Sequence, residues 1–192
     1  MPQHMPPQRW KTIVTAVLSA AVFALSVPAY AAGLYADIIT ANENAETGSV
    51  LVNNEDNTFT RITPDVVLGR YPNYVAAADF NEDDIPDLVA VNGRGEHTLG
   101  FLTGKGNGEF EPRTIYDVGY EVANGVAMGD FNKDGHLDIL VPNWNPGGMV
   151  QILAGDGNGN FSLSGTWAVD GWANNVTVGD YNKDGNLDEI GR

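Results

Sequence analysis

The sequence predicts an all-β chain built from β-propeller blades, each of four antiparallel strands. Three observations carry that expectation. The acidic stretch DFNKDGHLD, Asp130 to Asp138, recurs as DYNKDGNLD from Asp180 and as DFNEDDIPD from Asp79. Their first acids lie 51 and 50 residues apart, and a fixed period of that size marks a repeat architecture. Between the acidic stretches run short apolar segments broken by Gly, Asn, Asp and Pro. No 3.6-residue apolar period is sustained over helical length, so these segments read as strands.

Aligning the chain on the acidic stretches gives the elements in order. A short first strand, Val75 to Ala78, Val126 to Gly129 or Val176 to Gly179, leads into each stretch. A second strand follows (Leu88 to Val91, Ile139 to Val141) and closes on Asn92 or Asn143. The third strand is Thr98 to Leu102 in one unit and Met149 to Leu153 in the next. Glycine-rich turns then end at Phe110 and Phe161, and a fourth strand runs through Arg113 to Val118 and through Gly165 to Val169. Four strands per unit of about 50 residues is the blade of a propeller. Phe59, Phe110 and Phe161 recur at the same place in each unit and are expected to be core anchors.

The organisation that follows is a segment 1–31, a partial unit 34–70, full units 71–119 and 120–169, and a partial unit 170–192. In the first partial unit Asp37 to Asn42 aligns with Asp87 to Asn92 and Asp138 to Asn143, so that unit begins at its second strand. The last is the complement, with a first strand and an acidic stretch. About three units fall short of the 4–8 blades of known propellers, which implies an incomplete ring or one closed by association of copies. Unpaired strand edges would favour such self-association.

Residues 1–31 differ from the rest. Arg9 and Lys11 precede an apolar run from Ile13 to Val27, and Ala29-Tyr30-Ala31 supplies small residues at −3 and −1. That is the pattern of a secretory signal peptide. The run is too short for a spanning helix, which needs about 20 apolar residues, so no membrane span is expected after cleavage. All 25 acids lie beyond residue 31 with only eight of the ten Lys and Arg residues, leaving that part at a formal charge of −17. Such acidity repels nucleic acid phosphates. The chain has no cysteine, so an exported protein of this kind is held by its core, by metal or by assembly.

The acidic stretches carry the chemistry. Asp130, Asn132, Asp134 and Asp138 stand at positions 1, 3, 5 and 9, where oxygens on a curled backbone converge on one point. Calcium takes 6–8 oxygen ligands, one commonly a peptide carbonyl, and the His136 carbonyl is placed to give it. Gly135 at position 6 permits the positive φ of so tight a curl. Asp180, Asn182, Asp184, the Asn186 carbonyl and Asp188 repeat the set, as do Asp79, Asn81, Asp83, the Ile85 carbonyl and Asp87. Without a cation each stretch is an Asn/Asp/Gly hairpin turn. Turn chemistry alone gives no reason to restore the same oxygens at the same offsets three times.

The run DFNKDGHLDILVPN, followed by a glycine-rich turn and Phe161, resembles the FG-GAP or VCBS-type repeat of integrin α-subunits and many bacterial secreted proteins. The resemblance covers essentially all of residues 32–192. It implies propeller blades with calcium held between the first and second strands, and rings of about seven blades. By its pattern Asp130, Asn132, Asp134 and Asp138 are ligands, as are Asp180, Asn182, Asp184 and Asp188. Two positions depart from it. Asp84 replaces the glycine of position 6, and Glu189 stands where Leu88 and Ile139 are apolar.

Other chemistries find little support. An EF-hand needs Glu at position 12, where this chain has Ala90, Val141 and Gly191. The glycine-rich turns lack the Lys-Ser/Thr of a phosphate-binding loop. The histidines are His4, His97 and His136, and His97 reads as a surface turn residue. Asn73, Asn124 and Asn174 each stand six residues before a loop Asp, and Tyr120, Trp144 and Trp172 lie in loops or strand entries; the first reading is that the amides shape turns and the aromatics cover blade edges, the second that together they stack on a glycan or anchor an extracellular protein. The expectation is therefore a secreted or cell-surface calcium-binding repeat module acting in binding, adhesion or scaffolding. The alternative is part of an exported polysaccharide- or ester-cleaving enzyme.

Overall fold

The computed structural model of the chain describes residues 37–119, 125–144 and 146–182, with the backbone alone of 13–17 and 188–189. Among these residues there is no α-helix, and a single 3-10 turn, Glu43–Ala45, follows the first long strand. Ile13–Val17 is strand β1, and β2 (Asp37–Asn42), β3 (Thr47–Asn53), β4 (Phe59–Arg61) and β5 (Val66–Val67) make up the rest of the first sheet. The second sheet contains β6 (Pro72–Ala78), β7 (Asp87–Asn92), β8 (Thr98–Leu102) and β9 (Thr114–Asp117). The third contains β10 (Ala127–Gly129), β11 (Asp138–Asn143), β12 (Met149–Gly155) and β13 (Phe161–Ala168). β14 (Val178–Gly179) and β15 (Asp188–Glu189) form a two-stranded sheet.

The second and third sheets are four-stranded antiparallel meanders whose strands pair in sequence order. These are the expected propeller-like blades, and they lie side by side without closing a ring. Strand limits shift modestly from expectation. β6 starts earlier, at Pro72, and β13 begins at Phe161 directly, with a bulge between Ile152 and Leu153 opposite it.

Packing explains the composition of the strands. Every residue of β7 and β11 is buried, because each strand lies deep in its sheet with a packed face on either side. Leu88, Ala90 and Leu102 of the second sheet pack on Ile39, Ala41, Val50 and Leu68 of the first. Val89, Val91, Leu99 and Phe101 on the opposite face pack on Ile139, Val141, Leu153 and Phe161 of the third. The outer face of the third sheet buries only Ala127, Leu140, Val150 and Ile152, partly covered by Phe131, Trp167, Val169, Val176 and Val178.

The three phenylalanines of the repeat do not share one fate. Phe161 is 8% exposed and meets Phe80, Phe101 and Tyr116 edge-to-face, with ring centroids 5.4–5.5 Å apart. Phe110 is half-buried against the first sheet. Phe59 is 41% exposed and is no core anchor. The reason is positional: each of these rings packs on the preceding sheet, and the described residues put none before the first. His97 also departs from expectation, being a half-buried turn residue with φ 53 and a buried, unpartnered Nδ1.

Most of the segment read as a signal peptide lies outside the described residues. Its strand β1 pairs with β2 in parallel, Ile13 opposite Asp37 through Val17 opposite Ala41. Every other first strand in the chain pairs antiparallel with its neighbour. No helix among the described residues is long and apolar enough to cross a membrane.

Candidate metal centre

Two of the three acidic stretches are fully described, and they share their loop-shaping hydrogen bonds position for position, the second adding one from the Asn132 amide to Asp138 Oδ2 at 3.3 Å. In the first, Asp79 Oδ1 accepts from the Asp83 amide at 3.1 Å and Oδ2 from the Asp84 amide at 2.9 Å. In the second, Asp130 Oδ1 accepts from the Asp134 amide at 3.1 Å and Oδ2 from the Gly135 amide at 3.0 Å. Asn81 and Asn132 accept from the amides of Asp83 and Asp134, at 3.2 and 2.8 Å. Asp83 and Asp134 then accept from the amides of Ile85 and His136, at 2.8 and 2.9 Å. Each Asx bond winds the backbone one step further, which is why Asn and Asp at alternate positions produce a curl.

The ninth-position acid locks the curl onto the sheet. Asp87 Oδ2 accepts from the Phe80 amide at 3.1 Å, while Oδ1 accepts from the Gly104 amide at 2.9 Å. Asp138 repeats this with Phe131 at 2.9 Å and Gly155 at 3.0 Å. Both carboxylates are buried. Glycine is required at the partner positions because a Cβ on Gly104 or Gly155 would overlap the carbonyl of Pro86 or Leu137. Burial pushes the Asp87 carboxyl up to about 6, and its bonds to Gly104 and Phe80 oppose that rise while the charges of Asp83 and Asp79 add to it.

Position 6 takes the expected left-handed backbone in both loops, φ 93 at Gly135 and φ 69 at Asp84. Position 4 does so too, φ 58 at Glu82 and φ 63 at Lys133, a feature that the sequence does not announce. The loops sit at the same end of their sheets and touch: His136 Nδ1 lies 2.6 Å from Glu82 Oε1. That contact raises the His136 pKa.

In this conformation the acids face backbone amides, and among the described residues no three His, Asp or Glu side chains converge. The donor set is nonetheless all oxygen, as a hard cation requires. A carboxylate has about four lone-pair sites, so an oxygen that accepts one amide can still ligate. Asp79, Asn81, Asp83 and the Ile85 carbonyl with Asp87 could hold one ion; Asp130, Asn132, Asp134 and the His136 carbonyl with Asp138 could hold another. In the third stretch Asp180 and Asn182 are described, but Asp184 and Asn186 lie outside the described residues and Asp188 is placed by backbone only.

The aromatic candidates stand at the other end of the sheets. Trp144, after β11, and Trp172, after β13, meet edge-to-face with centroids 6.0 Å apart. They are 41% and 58% exposed. Tyr120 and Asn124 lie outside the described residues. The sequence places the two tryptophans 28 residues apart and gives no sign that they meet.

No curated protein matches the chain. The family model described as FG-GAP-like repeat matches residues 35–90 and again 79–141. The first match runs from β2 through the Asp79 loop into β7, and the second runs from that loop through the Asp130 loop into β11. Repeated loop, repeated sheet and repeated match agree, and the chain belongs to the FG-GAP-like repeat family.

Proposed function

We propose that this protein is an exported binding or scaffold module whose blades are clamped by calcium in the loops at Asp79, Asp130 and Asp180. The observation that carries the reading is the shared hydrogen-bond pattern of the first two loops, down to the buried acid that ties each loop to its sheet. FG-GAP repeats are consistent with a binding or adhesion type of propeller module. A divalent ion would offset the repulsion among the loop acids and supply a cross-link in a chain that has no cysteine. Export through the segment 1–31 fits that use, since extracellular calcium is abundant enough for modest sites.

The surface offered to a ligand would then be the end of the sheets away from the clamps, where Trp144 and Trp172 are exposed. A glycan ring stacking there, or an extracellular protein anchored there, is the expected partner class. A glycan and protein-ligand screen on the wild-type chain and on Trp172→Ala tests this. Loss of saturable binding with unchanged melting supports the reading, and equal binding by both forms removes the tryptophans from it. Turnover of a glycan or ester in the same screen would point to the hydrolase alternative.

A further inference from the structure

We propose that the cleft between the outer rims of the first and second sheets is a docking groove for an extended, basic and apolar segment of a partner protein. The cleft measures about 760 Å³ and is lined by β5, β9 and the turns that lead into them. Ligand pockets commonly span about 300–1,000 Å³, with mostly apolar walls and few polar groups. Ile62, Val66, Leu102 and Phe110 form its floor, continuous with the apolar layer between the two sheets. Val67 and Ile115 stand at its mouth, 63% and 53% exposed.

The cleft exists because one position in the fold is filled differently at the two junctions. Tyr116 of β9 stands opposite Leu99, packs edge-to-face on Phe161 at 5.5 Å, and donates its hydroxyl to the Gly159 carbonyl at 3.4 Å. It closes the rim between the second and third sheets. Val66 of β5 holds the same place in the first sheet, opposite Gly48, which lies 51 residues before Leu99. Valine is too short to cover Phe110 as Tyr116 covers Phe161. Phe110 is left half-buried, and the rim stays open.

Backbone and charge decide what fits. β9 ends its sheet and β5 pairs with β3 alone, so each strand leaves one edge of N–H and C=O groups unpaired among the described residues. An added strand can take up such an edge while its alternate side chains enter the pocket beside it. Among the charged groups that line the cleft, Asp65 is held by Arg61, Lys105 by Glu111 and Arg113 by Glu96. Glu109 also lines it, is exposed, and its carboxylate has no partner among the described residues. The uncompensated charge at the groove is therefore negative, in a chain that is strongly acidic. It favours a segment whose outward side chains are Lys or Arg, and it repels one rich in Asp and Glu.

The groove depends on neither the calcium loops nor the tryptophans. It is tested on the full chain by fluorescence anisotropy with a labelled hexapeptide of alternating valine and lysine, in calcium and in chelator. Saturable binding is expected in both. Serine in place of the valines should weaken it about tenfold or more, the scale on which lost apolar anchors are felt. Ile115→Asp should weaken it about tenfold although it adds negative charge, and at so exposed a position it should leave the melting temperature unchanged. Val66→Tyr, which installs the side chain that closes the other junction, should fill the groove and abolish binding. Glu109→Gln should weaken binding about threefold, as for an exposed ion pair. Absence of saturable binding overturns the proposal. So does equal binding of the serine peptide or undiminished binding by Ile115→Asp, either of which reduces the effect to attraction of cations by an acidic surface. Tighter binding of a valine and glutamate peptide would overturn it as well. A chain that calcium does not stabilise can still bind the peptide, and a calcium-stabilised chain can fail to, so the two readings fall separately.

Discussion

At the scale of single residues the clamp separates into groups that shape the loop and a group that anchors it. Asp138 is buried and receives amides on both oxygens. Asp138→Asn replaces one acceptor by an NH2 group facing an N–H donor. The expected loss is about 1–3 kcal/mol of stability even in chelator, measured by urea unfolding. Asp130 is less enclosed, and Asp130→Ala in chelator should cost only about 1 kcal/mol for the exposed Asx bonds. Its larger expected effect is on calcium, removing that loop's share of the ion-dependent rise in melting temperature. At Gly135, φ 93 penalises any Cβ, and Gly135→Ala should destabilise the chain by about 1–2 kcal/mol in the same unfolding experiment. Asp84 tolerates φ 69 at the equivalent place because a short polar side chain can bond locally, which is why that loop keeps its shape without glycine.

At the scale of elements, burial follows place in the row of sheets more than residue type. Phe161 is enclosed by Phe80, Phe101 and Tyr116, and Phe161→Ala should cost about 3–5 kcal/mol. Leu163 in the same strand is 60% exposed, and Leu163→Ala should stay within about 0.5 kcal/mol; thermal or urea melts of the two variants check the contrast. The strands and loops of the second and third sheets were legible because a local period fixes them: alternating oxygens curl a loop, and short apolar runs between turns pair as meanders. The exposure of Phe59 was not legible, since a repeat alignment treats all copies as equivalent while packing depends on having a neighbour. The contact between Glu82 and His136 was likewise hidden, because it joins residues 54 apart through the stacking of two sheets. Trp144 and Trp172 meet for the same reason, through the return of β13 along β12.

At the scale of the whole molecule, a strongly acidic chain without disulfides has its charge concentrated where repeated loops face solvent. Two apolar layers join the three sheets, and the loops line up at one end of them. An ion in each loop would tie first strand to second strand and relieve the repulsion that the sheets alone must bear. A ligand bound only by the folded state stabilises it by about 2.7 kcal/mol per site at a hundredfold excess over its dissociation constant. Thermal melting of the unsubstituted chain in chelator and across a calcium titration therefore decides whether the clamps are real. A melting temperature that climbs with calcium, returns in chelator and climbs less in Asp130→Ala is the outcome expected. A melting temperature indifferent to both calcium and chelator would reduce the loops to polar turns and leave the blades to their apolar cores alone.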